Sequence, residues 1–200
     1  MVATFNAQGQ GLYAQGNPAY TEATRQGVGY NCSLIAAVAP LNAIPTSTAA
    51  LEIFNNTAGP GAINLIIDSL FAFQLVSTGV VRTASIWAMV TTVKAVPVFT
   101  AQNIFSQSGR QFYASLATGP IVTGAGTTVV ANGWRPWGPV QAWPGAAELA
   151  TPGESMEAPV LGRYIVPPGC SLCMHVVSAV ATGTYTMGAS WYQEPFIAAQ

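Results

Sequence analysis

Charge is what this chain has least of. Its 200 residues hold six Lys or Arg, seven Asp or Glu and one His, so 6% of side chains are charged and the formal net charge is −1. An ordinary soluble domain carries roughly 25% charged residues. Without a basic field the chain cannot hold a phosphate backbone by electrostatics, and without a polybasic run it has no such route to a lipid surface. Nucleic acid and membrane are therefore not expected as partners. The same shortage leaves too few ions to wet an isolated globule of this length, so neighbouring copies or a shell are expected to cover part of its exterior.

Three cysteines are too few, and odd in number, for a disulfide framework, which points to synthesis in a reducing cytoplasm. With His175 the only histidine and no Gly-x-Ser-x-Gly elbow, nucleophilic catalysis lacks its usual parts. Glu148, Glu154 and Glu157 read as solubilising loop charges rather than a glycosidase pair. No enzyme, cofactor or metal is expected. Long apolar runs are missing too: residues 33–44 are cut by Pro40, and residues 63–76 are too short for a membrane helix and contain Asp68. The first residues, MVATFNAQGQG, lack the basic start and apolar stretch of a secretory signal, so export by that route is not expected. Without export the acceptor-like triplets Asn31-Cys-Ser33 and Asn55-Asn-Thr57 carry no glycan.

What is present is strand text. Leu51, Ile53 and Phe54 are followed, after Asn-Asn-Thr-Ala-Gly-Pro-Gly, by the apolar run at residues 63–76, which reads as a β-hairpin. Both parities of that run are apolar (Ile63, Leu65, Ile67; Ile66, Leu70, Ala72), so it should be covered on two sides. Residues 84–93 alternate Ile86, Ala88, Val90 against Trp87, Met89, Thr91, and residues 160–166, 171–180 and 184–192 read as strands around Pro167-Pro168-Gly169 and Thr182-Gly183. Residues 127–131 read as a short strand after a Gly-rich turn, and residues 98–115 leave a short strand or a helical turn open. Seven or eight strands without βαβ spacing predict an all-β antiparallel sandwich over residues 48–200.

Residues 1–47, rich in Gln, Gly, Ala and Asn, read as an extended N-terminal arm in which Phe5, Tyr13, Tyr20 and Tyr30 could anchor on a neighbour. The run Asn132-Gly-Trp-Arg-Pro-Trp-Gly-Pro-Val-Gln-Ala-Trp-Pro144 reads as an ordered loop, since its prolines oppose regular pairing. Its Trp134, Trp137 and Trp143, with Arg135, could stack on a sugar, but the preferred reading is that they lock the loop to the sheet or to another subunit. Cys170-x-x-Cys173 with His175 has the spacing of a metal or redox site. In an extended strand, however, residues three apart point to opposite faces, so the two thiols should diverge.

The succession from Leu51 to Gly61, then Ile63-Asn-Leu-Ile-Ile67, then Val166-Pro-Pro-Gly169 and Ser190-Trp-Tyr-Gln-Glu194 resembles a group of tailed-phage virion proteins, over about residues 48–195. The resemblance implies a jelly-roll domain of the capsid cement, decoration or fibre kind, usually trimeric. The expectation is a virion structural protein, made in the host cytoplasm and sitting on the capsid surface as a homotrimer that binds and stabilises major capsid subunits. Phe71, Phe73 and Trp87, and Phe5, Tyr13 and Tyr20 in the arm, are the expected interface residues, with Trp191 a core or interface anchor. The alternative is a tail or fibre module that recognises host carbohydrate through Trp134, Arg135, Trp137 and Trp143.

Overall fold

Alternating apolar residues broken by Gly, Pro and Asn leave the backbone little choice but short paired strands. In the computed structural model, described over residues 19–34, 36–76, 82–92, 103–107, 112–114, 120–129, 132–143, 155–181 and 183–196, one short helix precedes eleven strands. They are α1 (Ala19–Gln26), β1 (Gly29–Ser33), β2 (Thr48–Phe54), β3 (Ile63–Val76), β4 (Arg82–Thr92), β5 (Asn103–Ser106), β6 (Phe112–Ala114), β7 (Ile121–Thr128), β8 (Arg135–Trp143), β9 (Ser155–Val166), β10 (Cys170–Ser178) and β11 (Thr184–Pro195).

Sheet 1 runs β6-β5-β1-β11-β3-β9 and sheet 2 runs β7-β2-β10-β4-β8, with every strand pairing antiparallel. Setting aside β5, β6 and β7 leaves β1-β11-β3-β9 facing β2-β10-β4-β8. Along the chain these eight strands alternate between the two sheets except at β4 and β8, which are neighbours in sheet 2, and this is the jelly-roll arrangement. The all-β sandwich expected from the sequence is the fold observed. The three extra strands come from the β4–β8 connection: β5 and β6 extend sheet 1 beyond β1, and β7 extends sheet 2 beyond β2. One insertion thus lengthens both sheets on the same flank.

Several sequence expectations are corrected. β2 and β3 do not pair as a hairpin; β2 lies between β7 and β10 while β3 lies between β11 and β9. The Asn-Gly-Pro turn reverses the chain but carries it across the sandwich. Asn55 closes that crossing, because its Nδ2 donates to the carbonyls of Ile63 at 2.7 Å and Val166 at 2.8 Å and its Oδ1 accepts from Thr57 Oγ1 at 2.7 Å. Nor are the two parities of β3 covered on opposite faces. The register against β11 slips by one residue at Asp68, between the pairs Ile67–Trp191 and Ser69–Ser190. Leu65 and Ile67 before the bulge, and Leu70 and Ala72 after it, therefore all join the core between the sheets.

The arm boundary at residue 47 is corrected as well, since β1 lies inside sheet 1, paired with β11 and β5. Its Tyr30 and Cys32 are core residues, and α1 precedes it. Five residues with only two apolar side chains give too weak a pattern to be read as a strand. Residues 1–18, with Phe5 and Tyr13, lie outside the described residues, as does the side chain of Tyr20, whose backbone is in α1. The tryptophan run is not a loop but strand β8, paired with β4. Its prolines are tolerated because β8 is the edge strand of sheet 2, where a missing N–H need not break a ladder. A register irregularity opposite Ala84 and Ile86 and the positive φ of Gly138 absorb the rest. β7 begins at Ile121, so the Gly-rich stretch expected to turn is part of the strand.

Large side chains from both sheets fill the space between them, among them Leu51, Ile53, Leu65, Ile67, Leu70, Ile86, Leu172, Tyr185 and Trp191. Trp191 has no exposed surface and stacks on Tyr30 with ring centroids 6.2 Å apart. A second cluster of Ala49, Met89, Val129, Trp134 and Cys173, with Trp87 packed against it, lies on the other side of sheet 2.

Candidate assembly surface

The bulge at Asp68 decides what sheet 1 shows to the outside. With Leu65, Ile67, Leu70 and Ala72 turned inward, the remaining parity of β3 places Ile66, Ser69, Phe71, Phe73 and Leu75 in a stripe on the outward face. Ile66 is buried between Ile165 of β9 and Tyr192 of β11, its partners in register. Phe71 lies across Gly188 so closely that a Cβ there would overlap its ring. Phe73 and Leu75 are exposed, as are Leu161 and Ile165 of β9 and Phe105 of β5.

β9 swells outward opposite Asp68: Ile67 pairs with Tyr164 and Ser69 with Pro159, leaving residues 160–163 as a bulge. Leu161 at its tip has φ +53°, and Gly162 follows at +76°. Among the described residues Leu161 is the one non-glycine at positive φ. Asp68 faces Glu157 near this bulge; burial, and secondarily that neighbouring carboxylate, raise its pKa above the usual carboxylate range. Phe71 and Phe73, expected at an interface, both sit on this outward face. Leu75, Phe105, Leu161 and Ile165 were not anticipated. A left-handed backbone at a leucine leaves no mark in composition or periodicity, and the parity of Leu75 is readable only once the bulge is known.

Sheet 2 presents the opposite picture, because its outward face is covered by its own chain. Trp134 is buried there and donates from Nε1 to the Thr46 carbonyl at 2.8 Å. Trp87 is half-buried beside it, its Nε1 donating to Ser85 Oγ at 2.9 Å. Beneath this cover lie Glu52, Ser171, Cys173 and His175, each at most 3% exposed. As strand geometry requires, Cys173 belongs to this outer cluster while Cys170 packs against the core between the sheets, so the two thiols diverge. Burial raises both, and pushes Cys32 up to about 12, which leaves all three protonated and unreactive at neutral pH. Among the described residues no three His, Cys, Asp or Glu side chains are grouped to hold a metal ion.

Glu52 accepts a 2.5 Å hydrogen bond from Ser171 at Oε1, and its Oε2 has no partner among the described residues. Burial raises its carboxyl above the ordinary value of 4.5, against the smaller opposing pull of the Ser171 bond. Burial likewise lowers His175 below 6.5, opposed by Nδ1 lying 2.9 Å from the Val176 carbonyl. A carboxyl raised on folding contributes its full stability below the unfolded value and loses it as pH rises through the folded one. A lowered imidazole contributes fully above its unfolded value and loses it as pH falls. The two groups therefore pull in opposite directions, Glu52 favouring the fold below pH 4.5 and His175 above pH 6.5, and neither contributes fully between these values. Glu52→Gln is expected to melt level with the parent protein at pH 4 and above it at pH 8, each kcal/mol gained reading as roughly 2–4 °C. Thermal melts across that range measure the gap, and a constant gap at all pH values would show that Glu52 is ionised in the fold.

The tryptophans of β8 do not form a shared surface. Trp134 lies in the outer cluster of sheet 2, whereas Trp137 packs against the core between the sheets and meets Tyr164 edge-on at 4.8 Å. Tyr164 in turn donates from its hydroxyl to the Ala88 carbonyl at 3.1 Å, tying β9 to β4. Arg135 is exposed at the start of β8. Trp143 is paired with Arg82 in backbone register, and its side chain lies outside the described residues. Compared with known proteins, the chain matches no protein-family model and no curated protein.

Proposed function

We propose that this chain is a non-enzymatic structural subunit of a virion, a capsid cement or decoration protein that assembles as a homotrimer and stabilises major capsid subunits from the capsid surface. One observation carries the reading: the two sheets of the jelly roll are finished differently. The outward face of sheet 2 is sealed by Trp134, Val129 and Met89, while that of sheet 1 leaves large apolar side chains in water. A chain with so few charges gains from burying such a face against neighbours, and obligate interfaces are large and apolar. A symmetric array of copies would let weak contacts with a shell add together. A host-carbohydrate module finds less support, because Trp134 and Trp137 face opposite sides of sheet 2 and offer a sugar no common platform.

The native mass in dilute solution tests the proposal. Sedimentation equilibrium at low micromolar concentration is expected to give three times the 20.7 kDa chain mass. A stable monomer at every concentration tried would overturn the reading.

A further inference from the structure

We propose that the outward face of sheet 1, with Leu161 at its β9 edge, is the surface through which copies of this chain meet. The inference rests on the reading of the chain as a self-assembling subunit and names the contact that reading requires.

The first support is area. Phe73, Leu75, Phe105, Leu161 and Ile165, all on sheet 1, are between 37% and 65% exposed. Large side chains offer roughly 150–250 Å² each, so the five leave on the order of 400 Å² of apolar surface in water. That is about half of the ~800 Å² that each partner in a stable interface buries. The partly exposed Ser69, Phe71, Thr186 and Tyr192 between them supply more of the same face. On the outward side of sheet 2 the corresponding large side chains, Met89 and Trp134, are buried.

The second support is strain. β9 is an edge strand, twelve residues long, and unpaired edges are usually blunted. Pro159, the bulge and Glu157 with Arg163 do that here. A bulge that only protected the edge would be served best by Gly, Asn or Asp at the left-handed position. A leucine is held there instead, at φ +53° and 65% exposed. In an isolated chain both its backbone and its exposure are unfavourable, and among the described residues no side chain covers it enough to bring it below 65% exposed. A second copy covering the side chain gives that strain a return. The mixed charges around it suit a like partner, since Arg163 makes no ion pair among the described residues while Asp68 and Glu157 stand close by.

Sedimentation velocity over a concentration series, on the full chain and two variants, tests the contact. The double variant Phe73→Glu with Ile165→Glu places charge on the face without touching the core. Leu161→Gly removes the knob while fitting the left-handed backbone better than leucine. Both are expected to weaken self-association at least about tenfold. Leu161→Gly should also melt as high as the parent or higher when both are monomeric, which separates lost contact from lost fold. If the parent assembles and both variants keep its mass, another surface joins the copies and the inference fails while the assembly reading stands. If the parent itself never assembles, both fall together.

Discussion

Replacing Gly188 by alanine is expected to cost more than 3 kcal/mol of the roughly 5–15 that hold a domain together. Gly188 sits midway along β11, paired with Ser33 of β1 on one side and Phe71 of β3 on the other. A Cβ at this point would overlap the Cys32 carbonyl oxygen and the Cζ of Phe71, and stand 2.9 Å from Phe71 Cε1. The aromatic ring can swing aside at moderate cost. The carbonyl cannot, because it belongs to the backbone of the neighbouring strand, where Leu34 N donates to the Met187 carbonyl at 2.8 Å. Accommodating one methyl group therefore means prising β1 from β11 and with it the Tyr30–Trp191 stack. Urea denaturation measures the loss as a lower midpoint at unchanged slope. Adding Phe71→Ala in the same chain should recover only the part owed to the ring; full recovery would show that the backbone approach is not the obstacle.

The strands that the sequence announces are those bracketed by Gly or Pro, namely β4, β9 from residue 160 onward, β10 and β11, whereas the first residues of β9, from Ser155, read as loop. The alternation of Ile86 and Ala88 against Trp87 and Met89 maps directly onto the inner and outer clusters of sheet 2. Of the features that escaped it, three did so for three different physical reasons. Prolines at 136 and 139 hide β8, because their exclusion from sheets does not extend to edge strands. The turn between β2 and β3 marks a reversal, yet a reversal within one sheet and a crossing between two are built from the same residues. The bulge at Asp68 shows no local signature and still reassigns every side chain beyond it.

The candidate surface depends on that third omission. Without the bulge, both faces of β3 would need cover; with it, one side is complete and the other carries Phe71, Phe73 and Leu75. Phe71 and Phe73 were identifiable as large apolar residues in a strand too greasy for solvent. Leu161 and Ile165 were hidden in a strand whose pattern looked ordinary, because the residue that matters is distinguished by its backbone angle.

Trp191→Ala is expected to destabilise the protein by about 3–5 kcal/mol, the usual cost of emptying a buried tryptophan site. Trp191 has no exposed surface, pairs in register with Tyr30 of β1 and Ile67 of β3, and stacks on the Tyr30 ring. Its removal therefore opens a cavity where three strands of sheet 1 meet, with little freedom to collapse because each is held by its ladder. Its indole Nε1 is buried without a partner among the described residues, so Trp191→Phe gives up less. Phenylalanine keeps a ring against Tyr30 and removes a donor whose desolvation costs about 1–3 kcal/mol. Urea midpoints for the two variants should fall in the order parent, Trp191→Phe, Trp191→Ala, and a phenylalanine variant as weak as the alanine one would mean that indole volume alone sets the loss. Trp191 faces inward, so on a background already made monomeric by Phe73→Glu and Ile165→Glu the same loss should persist in full. The outward residues of the same sheet should behave in the reverse way, affecting association while leaving the monomer's midpoint unmoved. That contrast follows from the bulge at Asp68, which turns one side of sheet 1 toward the chain's own core and leaves the other facing outward.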